Sequence, residues 1–163
     1  MDKDLRQLSI TTGQYLLSRG ATLTSAESCT GGWIAKVITD ISGSSAWFEQ
    51  GFVTYSNQAK ISQLGVSAAT LEAHGAVSEA TVREMATGAL QAAGADYAVS
   101  VSGIAGPDGG SDEKPVGTVW FGFASVDGRG LAECRHFDGD RDSVRSQAVA
   151  FALRTLCGEF LEK

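Results

Sequence analysis

The stretch GSSAWFEQGFVTYSNQAK, at positions 43–60, gathers the hydroxyls of Ser44 and Ser45, the phenol of Tyr55 and the amine of Lys60. A lysine held neutral by burial or by a neighbouring cation can take a proton from a hydroxyl, which then attacks a carbonyl carbon. A nearby phenol can relay or orient that proton. Two further stretches crowd small polar groups together with glycine. AESCTGGW (26–33) carries Ser28, Cys29, Thr30, Gly31 and Gly32, and SGIAGPDGG (102–110) carries Ser102 and Gly106. Glycine lets a ligand approach the backbone, and hydroxyls suit phosphate, ribose or amide groups. The residue types therefore point to a hydroxyl nucleophile activated by lysine, near loops suited to an anionic, phosphorylated small molecule, with Ser28, Ser44 and Ser45 chemically alike as attacking groups.

Other chemistries lack their residues. The two histidines, His74 and His136, stand alone, and Asp108, Asp112 and Glu113 have no recognised ligand spacing, so no metal site is expected. A Ser-His-Asp triad needs a histidine beside its nucleophile, whereas His74 precedes Gly75 as the residue that ends a helix. Cys29 has no histidine partner and reads as a small packing residue. Neither GxGxxG nor GxxxxGK[ST] is present, so no dinucleotide cofactor or P-loop is predicted.

Alternating elements must position these groups. Leu5, Leu8, Thr12, Tyr15 and Leu16 predict an opening amphipathic helix stopped at Gly20, followed by a strand over 21–26 and a helix from Gly32 to about Ile41. Residues 48–56 alternate as a second strand, and a short helical piece covers Gln58 to Leu64. Ser78 predicts the cap of a helix from Glu79 to Ala93 that ends at Gly94. A buried strand follows over 96–102. Residues 116–126 and 131–137 flank a DGRG turn as an antiparallel hairpin, and a closing helix runs from Arg141 to Leu161. The expectation is an α/β fold, a three-layer α/β/α sandwich with a mixed sheet. In open α/β sheets ligands sit beyond the carboxyl ends of strands, which is where two of the dense stretches fall. Arg141 and Arg145 open the last helix, the wrong end for cations unless an anion or Asp140 and Asp142 compensate, and Arg141 is read as a ligand contact.

The 163 residues suit one domain, 1–163. Thirteen basic against nineteen acidic residues, with no basic cluster, argue against nucleic acid as a partner. No apolar run approaches a membrane span and no leader is evident, so a cytoplasmic protein is expected, with its three cysteines reduced. Trp33, Trp47 and Phe48 are expected to form an exposed apolar patch supporting a homodimer or higher homo-oligomer.

The segments AESCTGG, GSSAWF, GFVTYSNQAK, HGAVSE, SGIAGPDGG and KPVGTVWFG, taken in order over roughly residues 5–160, resemble the CinA C-terminal family. The resemblance implies hydrolysis of the carboxamide of nicotinamide mononucleotide to nicotinic acid mononucleotide and ammonia, in pyridine nucleotide salvage, with no metal or cofactor. By motif it makes Ser45 the nucleophile, Lys60 the general base and Tyr55 the supporting hydroxyl. Ser28, Thr30, Gly31, Gly32, Ser102 and Gly106 would line the substrate site, with Arg141 or Arg145 near the phosphate or carboxamide. Ser102 stands where many relatives have threonine, which keeps the hydroxyl. Larger relatives carry a separate N-terminal domain, whose activity does not transfer. The alternative is a non-catalytic nucleotide-binding or competence-related accessory domain that keeps the fold without the chemistry.

Overall fold

A computed structural model describes residues 2–162. The chain alternates as α1 (Asp2–Ser18), β1 (Leu23–Glu27), α2 (Trp33–Thr39), β2 (Gly51–Val53), α3 (Asn57–Leu64), α4 (Ala68–His74), α5 (Glu79–Ala93), β3 (Tyr97–Gly103), β4 (Thr118–Ser125), β5 (Gly130–His136) and α6 (Arg141–Leu156). The sheet order is β2-β1-β3-β4-β5. The first three strands in that order are mutually parallel, while β4 and β5 form the expected antiparallel hairpin, so the sheet is mixed. No helix among the described residues is long and apolar enough to cross a membrane.

The two-residue period of the strands divides the core between the faces of the sheet. On one face Tyr97, Val99 and Val101 of β3 and Val119, Phe121 and Phe123 of β4 pack against Leu5 and Leu16 of α1, Ile34 and Ile38 of α2, and Ala148, Ala152 and Leu156 of α6. On the other, Ala98 and Ala124 meet Val82, Met85 and Ala86 of α5. Large side chains thus fill the α1/α2/α6 side and small ones the α5 side, where helix and sheet approach closely. A Cβ on Gly122 would stand 2.3 Å from the Val82 carbonyl oxygen, and Ser100 Oγ donates to that same carbonyl at 2.6 Å. Burying these apolar faces supplies most of the driving force for the three-layer arrangement.

Three local expectations are corrected. The second strand is limited to residues 51–53, because the carbonyls of Thr54 and Tyr55 turn away to accept hydrogen bonds from Lys60. Trp47 and Phe48 do not form an exposed patch. Trp47 is 2% exposed, seated against α1 at Gly13, where a Cβ would meet its ring, and Phe48 is also buried. The basis for expecting self-association through that patch is therefore lost. The last helix keeps α-helical geometry only to Leu156, and a wider turn over Cys157–Leu161 finishes it, its Phe160 and Leu161 carbonyls taken by the Arg19 guanidinium.

Candidate active site

Parallel pairing sets β1 and β2 side by side with their carboxyl ends together, and the Thr54 amide donates to the Glu27 carbonyl at 2.9 Å. Ser28 follows β1, its own amide donating to Val101 of β3, so its hydroxyl stands at the carboxyl edge of the sheet between both neighbours. Across from it, Ser56 caps α3 by accepting from the Ala59 amide, which starts the helix so that Lys60 points back beneath the end of β2.

The Lys60 amine lies 3.0 Å from Ser28 Oγ, 3.0 Å from the Thr54 carbonyl and 3.2 Å from the Tyr55 carbonyl. The residue is 1% exposed and forms no ion pair among the described residues. Burial penalises the ammonium and pulls its pKa below the ordinary lysine value. The amine donates to all three oxygens, and Ser28 Oγ in turn donates to the Tyr55 carbonyl at 3.4 Å; once the amine loses a proton, the lone pair that replaces one N–H can take the serine proton across the same 3.0 Å contact. An amine held in this way can serve as a base toward the hydroxyl beside it.

The pair opens into a cavity of about 270 Å³ lined by Ser28, Cys29, Tyr55, Asn57, Lys60, Ala76, Val77, Ser102, Gly103, Ala105 and Arg141. Arg141, the first residue of α6, spans its mouth. Its guanidinium donates to the Gly106 carbonyl at 2.9 Å and to the Tyr55 hydroxyl at 3.3 Å, joining the 43–60 stretch to the 102–110 loop. Lys114 anchors the far end of the third loop by donating to the His74 carbonyl at 2.9 Å, where α4 ends. Cys29, next to Ser28 in the chain, is held protonated: burial pushes its thiol pKa up to about 12.

Several sequence-predicted residues meet here and others do not. Ser28, Lys60, Ser102 and Arg141 converge on the cavity, and Gly106 contributes through the carbonyl that holds Arg141. Ser45 lies elsewhere. It is exposed, on a 3₁₀ turn (Ser44–Ala46) that leads to Trp47, whose carbonyl accepts from the amide of Leu23 at the amino end of β1. Ser28 is at the carboxyl end of that strand, about 16 Å away at the ~3.3 Å rise of a strand residue. The hydroxyl that meets Lys60 is therefore Ser28 in place of Ser45. Tyr55 supplies the pair with its carbonyl, while the residue as a whole is 63% exposed and its hydroxyl accepts from Arg141. The Thr30 hydroxyl is buried and donates to Glu27, so it is turned away from the cavity.

Gly31 and Gly32 line a different groove of about 550 Å³, between α1 and α2, with Arg6, Trp33, Lys36 and Arg145. That groove is larger but contains no paired base and nucleophile. Arg145 donates to the carbonyls of Cys29 and Thr30 at 3.0 and 3.2 Å, which separates its role from that of Arg141. Asn57, opening α3 at the cavity rim, was not singled out from sequence, although its place two residues after Tyr55 and three before Lys60 was a usable signal.

Known proteins resemble this chain over nearly its whole length. The family model of the CinA C-terminal domain matches residues 5–160. The chain is 67% identical over 161 residues to the nicotinamide-nucleotide amidohydrolase PncC of Escherichia coli strain K12, covering 99% of this chain and 98% of that protein. It is 64% identical to the protein of the same name from Enterobacter agglomerans, with the same coverage. The crystal structure of the competence/damage inducible protein CihA from Agrobacterium tumefaciens superposes with a TM-score of 0.94 at 43% identity, over 98% of this chain and 96% of that one. Family-model match, full-length identity and fold agree that the chain belongs to the CinA C-terminal domain family.

Proposed function

We propose that the protein hydrolyses the carboxamide of nicotinamide mononucleotide, giving nicotinic acid mononucleotide and ammonia, with Ser28 as nucleophile and Lys60 as general base. The observation that carries the reading is the buried Lys60 amine 3.0 Å from Ser28 Oγ, in a chain 67% identical to a nicotinamide-nucleotide amidohydrolase over nearly its whole length.

In this mechanism neutral Lys60 takes the Ser28 proton as Oγ bonds to the carboxamide carbon. The oxyanion is met by the amides of Cys29 and Ala105, which lie on cavity-lining residues and donate to no carbonyl among the described residues. Lys60, now an ammonium, returns its proton to the departing nitrogen, the C–N bond breaks and ammonia leaves. A water then loses a proton to Lys60 and opens the acyl-serine, releasing the carboxylate and restoring Ser28. Arg141 supplies the positive charge at the mouth for the 5′-phosphate, and Ser102 a hydroxyl for the sugar or amide. Tyr55 supports the base through its carbonyl and the mouth through its ring and hydroxyl.

Incubation of the pure protein with nicotinamide mononucleotide, followed by quantification of ammonia and nicotinic acid mononucleotide, tests this reading. Equimolar formation of both products at many turnovers per enzyme is expected. Nucleotide binding without either product overturns it.

A further inference from the structure

Glu27, the last residue of β1, is fully buried, yet no basic side chain among the described residues forms an ion pair with it. A lone carboxylate in a protein interior is costly unless hydrogen bonds replace its water. Here they come from the five residues after it and the start of the next helix. One carboxylate oxygen accepts from Thr30 Oγ1 at 2.6 Å and from the Ile34 amide at 2.8 Å, and the other accepts from the Ala35 amide at 3.1 Å. A helix needing only a cap takes a serine, threonine or aspartate at the N-cap position. That position is Gly32, which has no side chain to cap with, and the donors are satisfied from upstream, so the segment 28–32 is closed into a ring around the carboxylate. Gly31 and Gly32, at φ +59° and +101°, provide the left-handed backbone that lets the chain curl this tightly.

The ring is the segment that carries the nucleophile. Along β1, Leu23 and Glu27 face the α1/α2 side of the sheet, and Ser28, next in the chain, faces α3 and Lys60. Arg145 grips the same segment from outside through the Cys29 and Thr30 carbonyls. Carboxylate and guanidinium thus fix its donors and acceptors respectively. We propose that Glu27 is a positioning residue for the hydrolysis: through Thr30 and the first turn of α2 it sets the path of residues 28–32, and so holds Ser28 Oγ against Lys60 and the Cys29 amide toward the cavity. This inference rests on the Ser28–Lys60 reading given above.

The test measures kcat and KM for nicotinamide mononucleotide, the melting temperature, and the rate at which an arylsulfonyl fluoride labels Ser28, read by mass spectrometry. The proteins compared are wild type, Glu27→Gln, Thr30→Val, Thr30→Ser and Ser28→Ala. Misplacing reacting groups by about 1 Å costs on the order of 10²-fold in rate. Folded Glu27→Gln and Thr30→Val are expected to lose at least about 30-fold in kcat with KM within about twofold, Ser28 labelling slowing in parallel. Thr30→Ser, which keeps the donor, stays within about threefold of wild type. If Glu27→Gln does not fold, the Thr30 pair decides alone. The inference is overturned if folded Thr30→Val or Glu27→Gln keeps wild-type kcat, or if KM alone changes. Ser28→Ala separates the two failures: full turnover in that variant removes the site reading and this inference with it, whereas an inactive Ser28→Ala beside a fully active Thr30→Val removes only the positioning role.

Discussion

The Lys60 amine and the Ser28 hydroxyl, 32 residues apart in the chain, stand 3.0 Å apart at the carboxyl edge of the sheet. Two parallel neighbouring strands bring them together, β1 delivering the serine directly and β2 delivering the turn into α3. The remaining acceptors of the amine are carbonyls of that same turn, so Lys60 is locked in place by backbone, with no counter-ion among the described residues to stabilise its charged form.

Activity should therefore depend on pH in a defined direction. The reactive form is the neutral amine, and burial holds the Lys60 pKa below the ordinary 10.5. A plot of kcat/KM against pH is expected to rise through an apparent pKa below 10.5 and then level off. A rate independent of pH across that range in the free enzyme contradicts a lysine base.

Stability carries the same signature. Between the depressed native pKa and the unfolded value near 10.5, the unfolded chain binds the extra proton, so raising pH through that window stabilises the folded protein. Lys60→Met removes the group. Denaturant unfolding of the two proteins at stepped pH should show wild type gaining on Lys60→Met as pH rises toward 10.5. A constant difference would mean that Lys60 is not a strained ammonium.

Tyr55 and Arg141 are expected to separate from the chemistry. Tyr55→Phe loses only a 3.3 Å contact with Arg141 and keeps the carbonyl that Lys60 uses. Its kcat should remain within about fivefold of wild type, consistent with loss of one exposed hydrogen bond. Arg141→Ala removes the cation at the mouth, and its KM should rise about tenfold or more, the range for a lost charged hydrogen bond. Steady-state kinetics on both variants settle the division, and a kcat collapse of 10²-fold or more in Tyr55→Phe would assign the phenol to proton transfer.

A packing test lies away from the site. A methyl group on Gly122 would press on the Val82 carbonyl at 2.3 Å, where α5 meets the sheet. Gly122→Ala should cost about 1–3 kcal/mol, the usual penalty of overpacking, measured as a lower denaturant midpoint at unchanged slope. No change in midpoint would show that the helix can move off the sheet freely.

How much was legible in sequence depended on distance along the chain. Gly20 and Gly94 marked helix ends, Ser78 caps α5 through the Thr81 amide as read, and the DGRG turn closes the hairpin, because each signal acts within a few residues. Lys60, Ser102 and Arg141, which the sequence also singles out, line one cavity in the fold. The motif resemblance points to Ser45, which also shares a short segment with Lys60, but that segment crosses the sheet from the amino end of β1 to the carboxyl end of β2, and only the strand order reveals the crossing. The rule that ligands sit at carboxyl strand ends already favoured Ser28. The burial of Trp47 escapes the sequence for a related reason: its ring is seated against Gly13 of α1, distant in sequence. Glu27 gave no signal at all, since its partners follow it in a loop whose curvature no local pattern encodes.

The most direct measurement is the turnover of nicotinamide mononucleotide to ammonia by Ser28→Ala and Ser45→Ala, each confirmed as folded by its melting transition. Loss of the nucleophile is expected to lower kcat by about 10³-fold or more in Ser28→Ala, while Ser45→Ala stays within about twofold of wild type. An inactive Ser45→Ala beside an active Ser28→Ala would contradict the assignment.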